Sequence, residues 1–272
     1  MKTLMLAHSH FSVRLVRFAL LPIAGVVLDG PTAEAQPTPV SAETILEADD
    51  MYFGGFPEEA HGLLMAHLER HPSDYEALWR AARVAVVLEL LDTAEGAQYR
   101  WLDPAIRFGD RAVAERPDGV EGLFWRGTAE GRRALYAGNS YAAELAERMY
   151  DDAHAVLALD SLHGGAHNVL GMLNYEIMDL SRIERFLARL LSDNRALRDI
   201  SWELAEHHLR RATDLWRDQV RFQLDLARLY NRRGRGAEAK EALRRVLEMP
   251  SVHPPDEVLK EAARRLLREL GS

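Results

Sequence analysis

Small residues recur at fixed spacing along a chain of alternating amphipathic segments and short turns, and this spacing constrains the fold more than any other feature of the sequence. From Ser41 onward, apolar residues fall at i, i+3, i+4 and i+7 over 43–52, 58–70, 75–91, 237–247 and 257–270. This is the period of helices with one buried face, and no β-branched run competes with it. The segments come in pairs. The first helix of a pair carries a small residue at its centre, and the second carries a small residue on its contact face. A large apolar residue follows four positions later, a small or apolar one at seven, and in the first pair a proline at twelve. Small side chains are needed where two helix backbones cross closely, and a proline ends the second helix. The most regular pair spans Val220 to Pro254, with Leu226, Ala227 and Tyr230 in the first helix, Gly234 in the turn, then Ala239, Leu243 and Val246. The first pair, Ser41 to Asp74, places Ala48, Met51, Gly55, Ala60, Leu64 and Pro72 in the same register.

This pattern resembles the tetratricopeptide repeat (TPR). Three middle units fit it with added residues. One runs from Tyr75 through Ala82 to Ala105, Gly109, Ala112 and Pro117; the next from Val120 through Gly127 to Ala153 and Val156; the last joins Gly171 to Ala205, Leu209 and Ala212. Their connections are longer than the repeat requires by about ten, ten and twenty residues. The expected fold is all-α: a TPR-like α-solenoid of about five helix pairs over 41–272, with inserted arms and a C-terminal capping helix from Pro255 to Leu270.

The stretched units carry a more specific resemblance. Ala166-His167-Asn168-Val169-Leu170-Gly171, then Asn174-Tyr175-Glu176 and a long arm from Leu180 to Leu191, is similar to the regulator of microtubule dynamics family. Gly122-Leu123-Phe124-Trp125 with Gly127, and Leu247-Glu248-Met249-Pro250 followed by Asp256-Glu257 and Lys260-Glu261-Ala262, match on either side. The resemblance covers roughly residues 41 to 270 and implies a helical solenoid used for binding. Some animal members are associated with phospholipid transfer between membranes, so it also implies a groove able to hold lipid.

The formal charge is −8, with both signs mixed along the chain. A duplex-binding protein needs a basic stripe to displace counterions, so nucleic acid is not an expected partner. There is no cysteine, which excludes disulfides, thiolate metal sites and cysteine nucleophiles. At the N-terminus, Lys2, Arg14 and Arg17 precede an apolar run from Phe18 to Leu28, and Ala33-Glu34-Ala35 follows with small residues at both outer positions. That order describes a signal peptide over 1–35 with cleavage before Gln36, then a short disordered lead over 36–40. The expected location is periplasmic or secreted, or alternatively membrane-anchored through an uncleaved signal. No later segment is long and apolar enough to span a bilayer.

Reactive chemistry is sparse. Gly234-Arg235-Gly236-Ala237-Glu238-Ala239 has the form G-x-G-x-x-A, but it follows a helix and not the strand a dinucleotide loop requires. His67 and His71, His163 and His167, and the adjacent His207 and His208 read as solvated or capping side chains, since none supplies a third ligand for a metal. Metalloprotease, nucleophile-elbow and Walker motifs are absent. The chain therefore reads as a non-enzyme with no cofactor and no metal. The concave-face positions of the first helices in TPR solenoids, carried over to this sequence, give Trp79 and Arg83; Phe124, Thr128 and Arg132; Asn168, Met172 and Tyr175; and Leu224, Arg228 and Arg232. Aromatic surface with arginines suits a protein or peptide segment, or alternatively an anionic lipid or small amphiphile.

Overall fold

Helix follows helix through residues 39–180 and 200–271, which are those described by the computed structural model. Among these residues there are eleven helices and no strand: α1 Pro39–Phe53, α2 Pro57–Arg70, α3 Tyr75–Leu91, α4 Ala97–Glu115, α5 Val120–Ala134, α6 Asn139–Leu159, α7 Gly164–Asp179, α8 Trp202–Leu215, α9 Val220–Arg232, α10 Gly236–Glu248 and α11 Asp256–Gly271. Each odd helix packs on the next odd helix, from α1 on α3 to α9 on α11, while even helices pack chiefly on the odd helices flanking them. The odd helices form an inner layer and the even helices an outer one, which is the two-layer solenoid of helix pairs that the repeat implies. Helix α11 closes the open end of the last pair.

The recurrent small residues mark the crossings. A Cβ on Gly109 would lie 2.6 Å from the Cβ of Arg126, and one on Gly171 would lie 2.7 Å from Cγ of Leu209. Ala60, Ala82, Ala105, Ala112, Ala205, Ala212, Ala227 and Ala239 are buried, and Leu64, Leu209, Leu243 and Val246 fill the space beside them. The turn glycines Gly55 and Gly234 have φ of 89° and 73°, where a side chain would be strained. Helix starts are capped locally. The Asp74 carboxylate accepts from the N–H groups of Glu76 (3.0 Å) and Ala77 (3.3 Å), and the Ser201 hydroxyl accepts from that of Leu204 (3.0 Å).

The added residues of the second and third units are spent on helix and not on arms. Helices α4 and α6 reach 19 and 21 residues, against 14 for α2 and 13 for α10. Only short turns separate Leu91 from Ala97 and Ala134 from Asn139. The extra turns extend a buried stripe that includes Leu102, Ala105, Ile106 and Leu145, so each adds burial as well as an internal hydrogen bond. The arm from Leu180 to Leu191, beyond Leu180 itself, lies outside the described residues, as do residues 1–38 with the expected signal and cleavage point. Helix α1 begins at Pro39, so the last two residues of the expected disordered lead are already helical. No described helix is long and apolar enough to cross a membrane.

The two ends of the solenoid meet. Tyr52 and Phe53, at the end of α1, lie 6.5 and 5.7 Å from the ring of His253 in the connection before α11. His253 in turn is 2.9 Å from the Gln219 side-chain amide at the start of α9. The inner layer thus curls until its first and last pairs touch, and its inner face lines a bore.

Candidate binding site on the inner face

At the N-terminal end of the inner face the expected groove residues are locked into the fold. Trp79 is 8% exposed and donates its indole N–H to Glu76 at 2.9 Å. Arg83 donates to Asp49 of α1 at 2.5 Å, and its guanidinium lies 4.1 Å from the centre of the Tyr52 ring. Arg80 shares Asp49 at 2.9 Å. These cations clamp α1 to α3 and have little left for a partner.

The middle of the inner face is similarly committed. Phe124 packs on Trp125, His163 and Trp216, with centroids 4.9, 4.7 and 6.5 Å away. The Thr128 hydroxyl donates to the Phe124 carbonyl one turn back at 2.8 Å. Arg132 pairs with Glu89 of α3, which also accepts from the Tyr136 hydroxyl at 3.1 Å. Asn168 is buried and donates to Asp225 at 3.3 Å. Met172 packs against the core formed by α8 to α11. Leu224 belongs to that core with 1% exposure, a correction to its place among the groove residues: its side chain turns into the helix layer and cannot reach a ligand.

The C-terminal end differs. A cavity of about 340 Å³ opens between α7, α9 and α11, lined by Tyr175, Arg228, Asn231, Arg232, Arg265 and Leu266, with Ala262 and Glu269 at its sides. Three expected residues, Tyr175, Arg228 and Arg232, come together here. Arg228 donates to Asp225 at 3.0 Å and Arg232 pairs with Asp179 at the end of α7. Arg265 is exposed and forms no ion pair among the described residues. The Tyr175 ring stands edge-on to Trp202 at 5.9 Å, and burial, followed by Asp179, raises its hydroxyl pKa. Beside it, Glu176 is also pushed up by burial and by Asp179.

Asn231, Arg265 and Arg221 escape the sequence reading. Arg221 carried a usable signal, since it stands seven residues before Arg228 on the same helical stripe. Arg265 carried none, because it is brought to the cavity by the capping helix, which lies outside the repeat. The histidines also differ from expectation. His67 is 1% exposed with Nε2 2.8 Å from Asp74, so it is a buried strut and not a solvated side chain. His163 does cap α7, accepting from the N–H of Ala166 at 3.0 Å, but is itself buried, and burial pulls its pKa down to about 4. Nδ1 of His167 meets Nδ1 of His208 at 2.9 Å. Their helices are separated in sequence by the arm, so helical spacing gives no hint of that contact. Among the described residues no three His, Cys, Asp or Glu side chains gather to hold a metal ion.

The sequence matches the family described as regulator of microtubule dynamics protein 1–3 over residues 44–271. Among solved structures, a thermophilic TPR protein of Thermus thermophilus superposes with a TM-score of 0.58 at 20% identity, over 84% of this chain and 98% of its own. The PilF protein of Pseudomonas aeruginosa gives 0.46 at 16% identity, over 84% of this chain and 86% of its own. The first likeness establishes the fold as a TPR solenoid. No curated protein matches the chain.

Proposed function

The chain belongs to the regulator of microtubule dynamics protein 1–3 family, and from that premise we propose that it is a non-catalytic TPR scaffold whose inner face docks a carboxylate-bearing protein segment. The observation that carries this reading is the cavity at the C-terminal end of the inner face, lined by Arg228, Arg232 and Arg265, of which Arg265 forms no ion pair among the described residues. A guanidinium binds a carboxylate through two parallel hydrogen bonds, and Tyr175 and Leu266 offer apolar surface worth ~25 cal/mol per Å² covered. The volume, about 340 Å³, sits at the bottom of the roughly 300–1,000 Å³ range of small-molecule sites. That size suits a side chain or a chain terminus and leaves little room for acyl chains, which favours a protein segment over an anionic lipid. The lining residues include no nucleophile paired with a base, which supports a binding role over catalysis.

The test is affinity capture by the tagged full chain from its native cell envelope, beside the Arg228→Ala/Arg265→Ala variant. Proteins retained by the wild type and reduced about tenfold in the variant support the reading; equal capture overturns it. Anionic lipid extracted from the wild-type eluate in place of protein assigns the cavity to an amphiphile instead. Export belongs to the same proposal, on the strength of the charged lead, the Phe18–Leu28 run and Ala33-Glu34-Ala35. Mature protein from the periplasmic fraction should begin at Gln36, and an intact Met1 in that fraction would point to an anchor.

A further inference from the structure

Six described side chains bury a polar atom that has no hydrogen-bond partner: Arg83, Glu130, Arg133, His163, Asp179 and Arg221. Five of them are engaged through another atom or an ion pair: Arg83 with Asp49, Glu130 with Arg148, Arg133 with Asp103, His163 with the N–H of Ala166, and Asp179 with Arg232. Arg221 is the exception. Its Nη2 is buried without a partner, and the side chain forms no hydrogen bond or ion pair among the described residues. A guanidinium nitrogen out of water needs an acceptor, and the described residues offer Nη2 of Arg221 none.

The surroundings of Arg221 indicate what that acceptor is. Arg221 lies on the first turn of α9, surrounded by protein yet keeping partial solvent access, as a side chain lining the bore does. Within its electrostatic reach are Arg132, Arg228, Asp225 and Glu89, and it also acts on Tyr52 of α1. Both carboxylates are already taken: Glu89 accepts from Arg132 and Tyr136, and Asp225 from Arg228 and Asn168. Neither carboxylate bonds Arg221, which is left without an acceptor among the described residues. Burial, and after it Arg132, pulls the Arg221 pKa down to about 10. Tyr52, raised by burial to about 12, keeps its proton and stays a hydrogen-bond donor.

We propose that Arg221, on α9 where the first and last helix pairs meet, is a receptor for a small oxyanion, a carboxylate or a phosphate group. One such anion supplies the missing acceptor. The site goes beyond the docking cavity and adjoins it through Arg228, seven residues further along α9 or about 10 Å along the axis, while Arg265 of α11 belongs to the cavity alone.

Thermal unfolding of the full chain at constant ionic strength in chloride, acetate or inorganic phosphate tests the assignment. At least one oxyanion should raise the wild-type midpoint by about 3 °C over chloride. Acetate alone acting identifies a carboxylate receptor, and phosphate alone a phosphate receptor. Because phosphate also strengthens burial generally, the deciding comparison is Arg221→Gln, which should lose the increment, against Arg265→Ala, which should keep it. No increment in the wild type, or an increment that survives in Arg221→Gln, overturns the site. Should Arg221→Gln not fold, Arg221→Lys keeps the charge without the fork and must lose at least half of the increment; an unchanged increment there overturns the site equally.

Discussion

Helices α3 and α9 hold the same place in the repeat, yet two of three inner-face charges are reversed between them. With Ala82 set against Ala227, Glu76, Arg80 and Arg83 of α3 stand opposite Arg221, Asp225 and Arg228 of α9. On α3 all three are used. Glu76 accepts from Trp79 at 2.9 Å, Arg80 at 2.8 Å and Arg116 at 3.3 Å, while Arg80 and Arg83 share Asp49. On α9, Arg228 and Asp225 satisfy each other and Arg221 is left over, with the charge of Arg132 from α5, two places along the inner layer, acting on it as well. The lesson concerns neighbours more than positions. An arginine on the inner face is a structural clamp or an open receptor according to whether an adjacent helix supplies a spare carboxylate.

Breaking the satisfied side gives the largest effect. Asp49→Ala leaves Arg80 with Glu76 alone and strands Arg83, which is buried against Tyr52 and Trp79. Loss of one partner from a largely buried pair costs about 3 kcal/mol, to be read as a lower urea midpoint with an unchanged slope. A variant as stable as the wild type would mean that the clamp adds nothing and the contrast with α9 is empty.

The acid counterpart of Arg221 sharpens the contrast through pH. Between α4, α5 and α6, the carboxylates of Glu130, Asp152 and Asp110 outnumber the guanidiniums of Arg126 and Arg148. Glu130 is fully buried, and burial, followed by Asp152, raises its pKa from 4.5 to about 8. In this window the folded state holds a proton on Glu130 that the unfolded state has released, so the contribution of Glu130 to stability falls as pH rises from about 4.5 to about 8. Glu130→Gln removes that slope. The variant should exceed the wild type by about 2 kcal/mol above pH 8 and lose the advantage towards pH 4.5, as measured by urea unfolding across pH. Parallel wild-type and variant curves would show that Glu130 does not carry the dependence.

The layers of this fold are legible in the sequence because close helix crossings admit only small residues. Ala48, Ala82, Gly109, Gly127, Gly171 and Ala227 announce those crossings, and the structure buries all of them. The inner-face chemistry is legible only in part. Arg132 finds Glu89 and Arg83 finds Asp49 across more than thirty residues of chain, and a repeat register says which way a side chain points but not what it meets. Leu224 shows the limit from the other side. Its register position belongs to the groove, while its apolar side chain gains more by turning into the core. The same competition explains the longer middle units, where residues expected in loops joined helices whose added turns had a surface to bury.

Arg221→Met is the smallest of the three stability effects and the one whose sign separates α9 from α3. Methionine fills a similar volume and removes an ion that has no partner, so in chloride the variant should gain about 1 kcal/mol, or about 3 °C in midpoint. The gain is modest because the wild-type side chain keeps partial access to water. At the inner-face clamp of α3, Arg83→Met must do the opposite, since it removes one of the two cations on Asp49 and a guanidinium stacked on Tyr52. Thermal and urea unfolding of the two variants side by side, in chloride without oxyanions, give the comparison directly. Opposite signs mean that the bore holds one cation for folding and another for a ligand. A loss at both positions would make Arg221 a second clamp, and the charge reversal between the two helices would then be a difference of pairing alone.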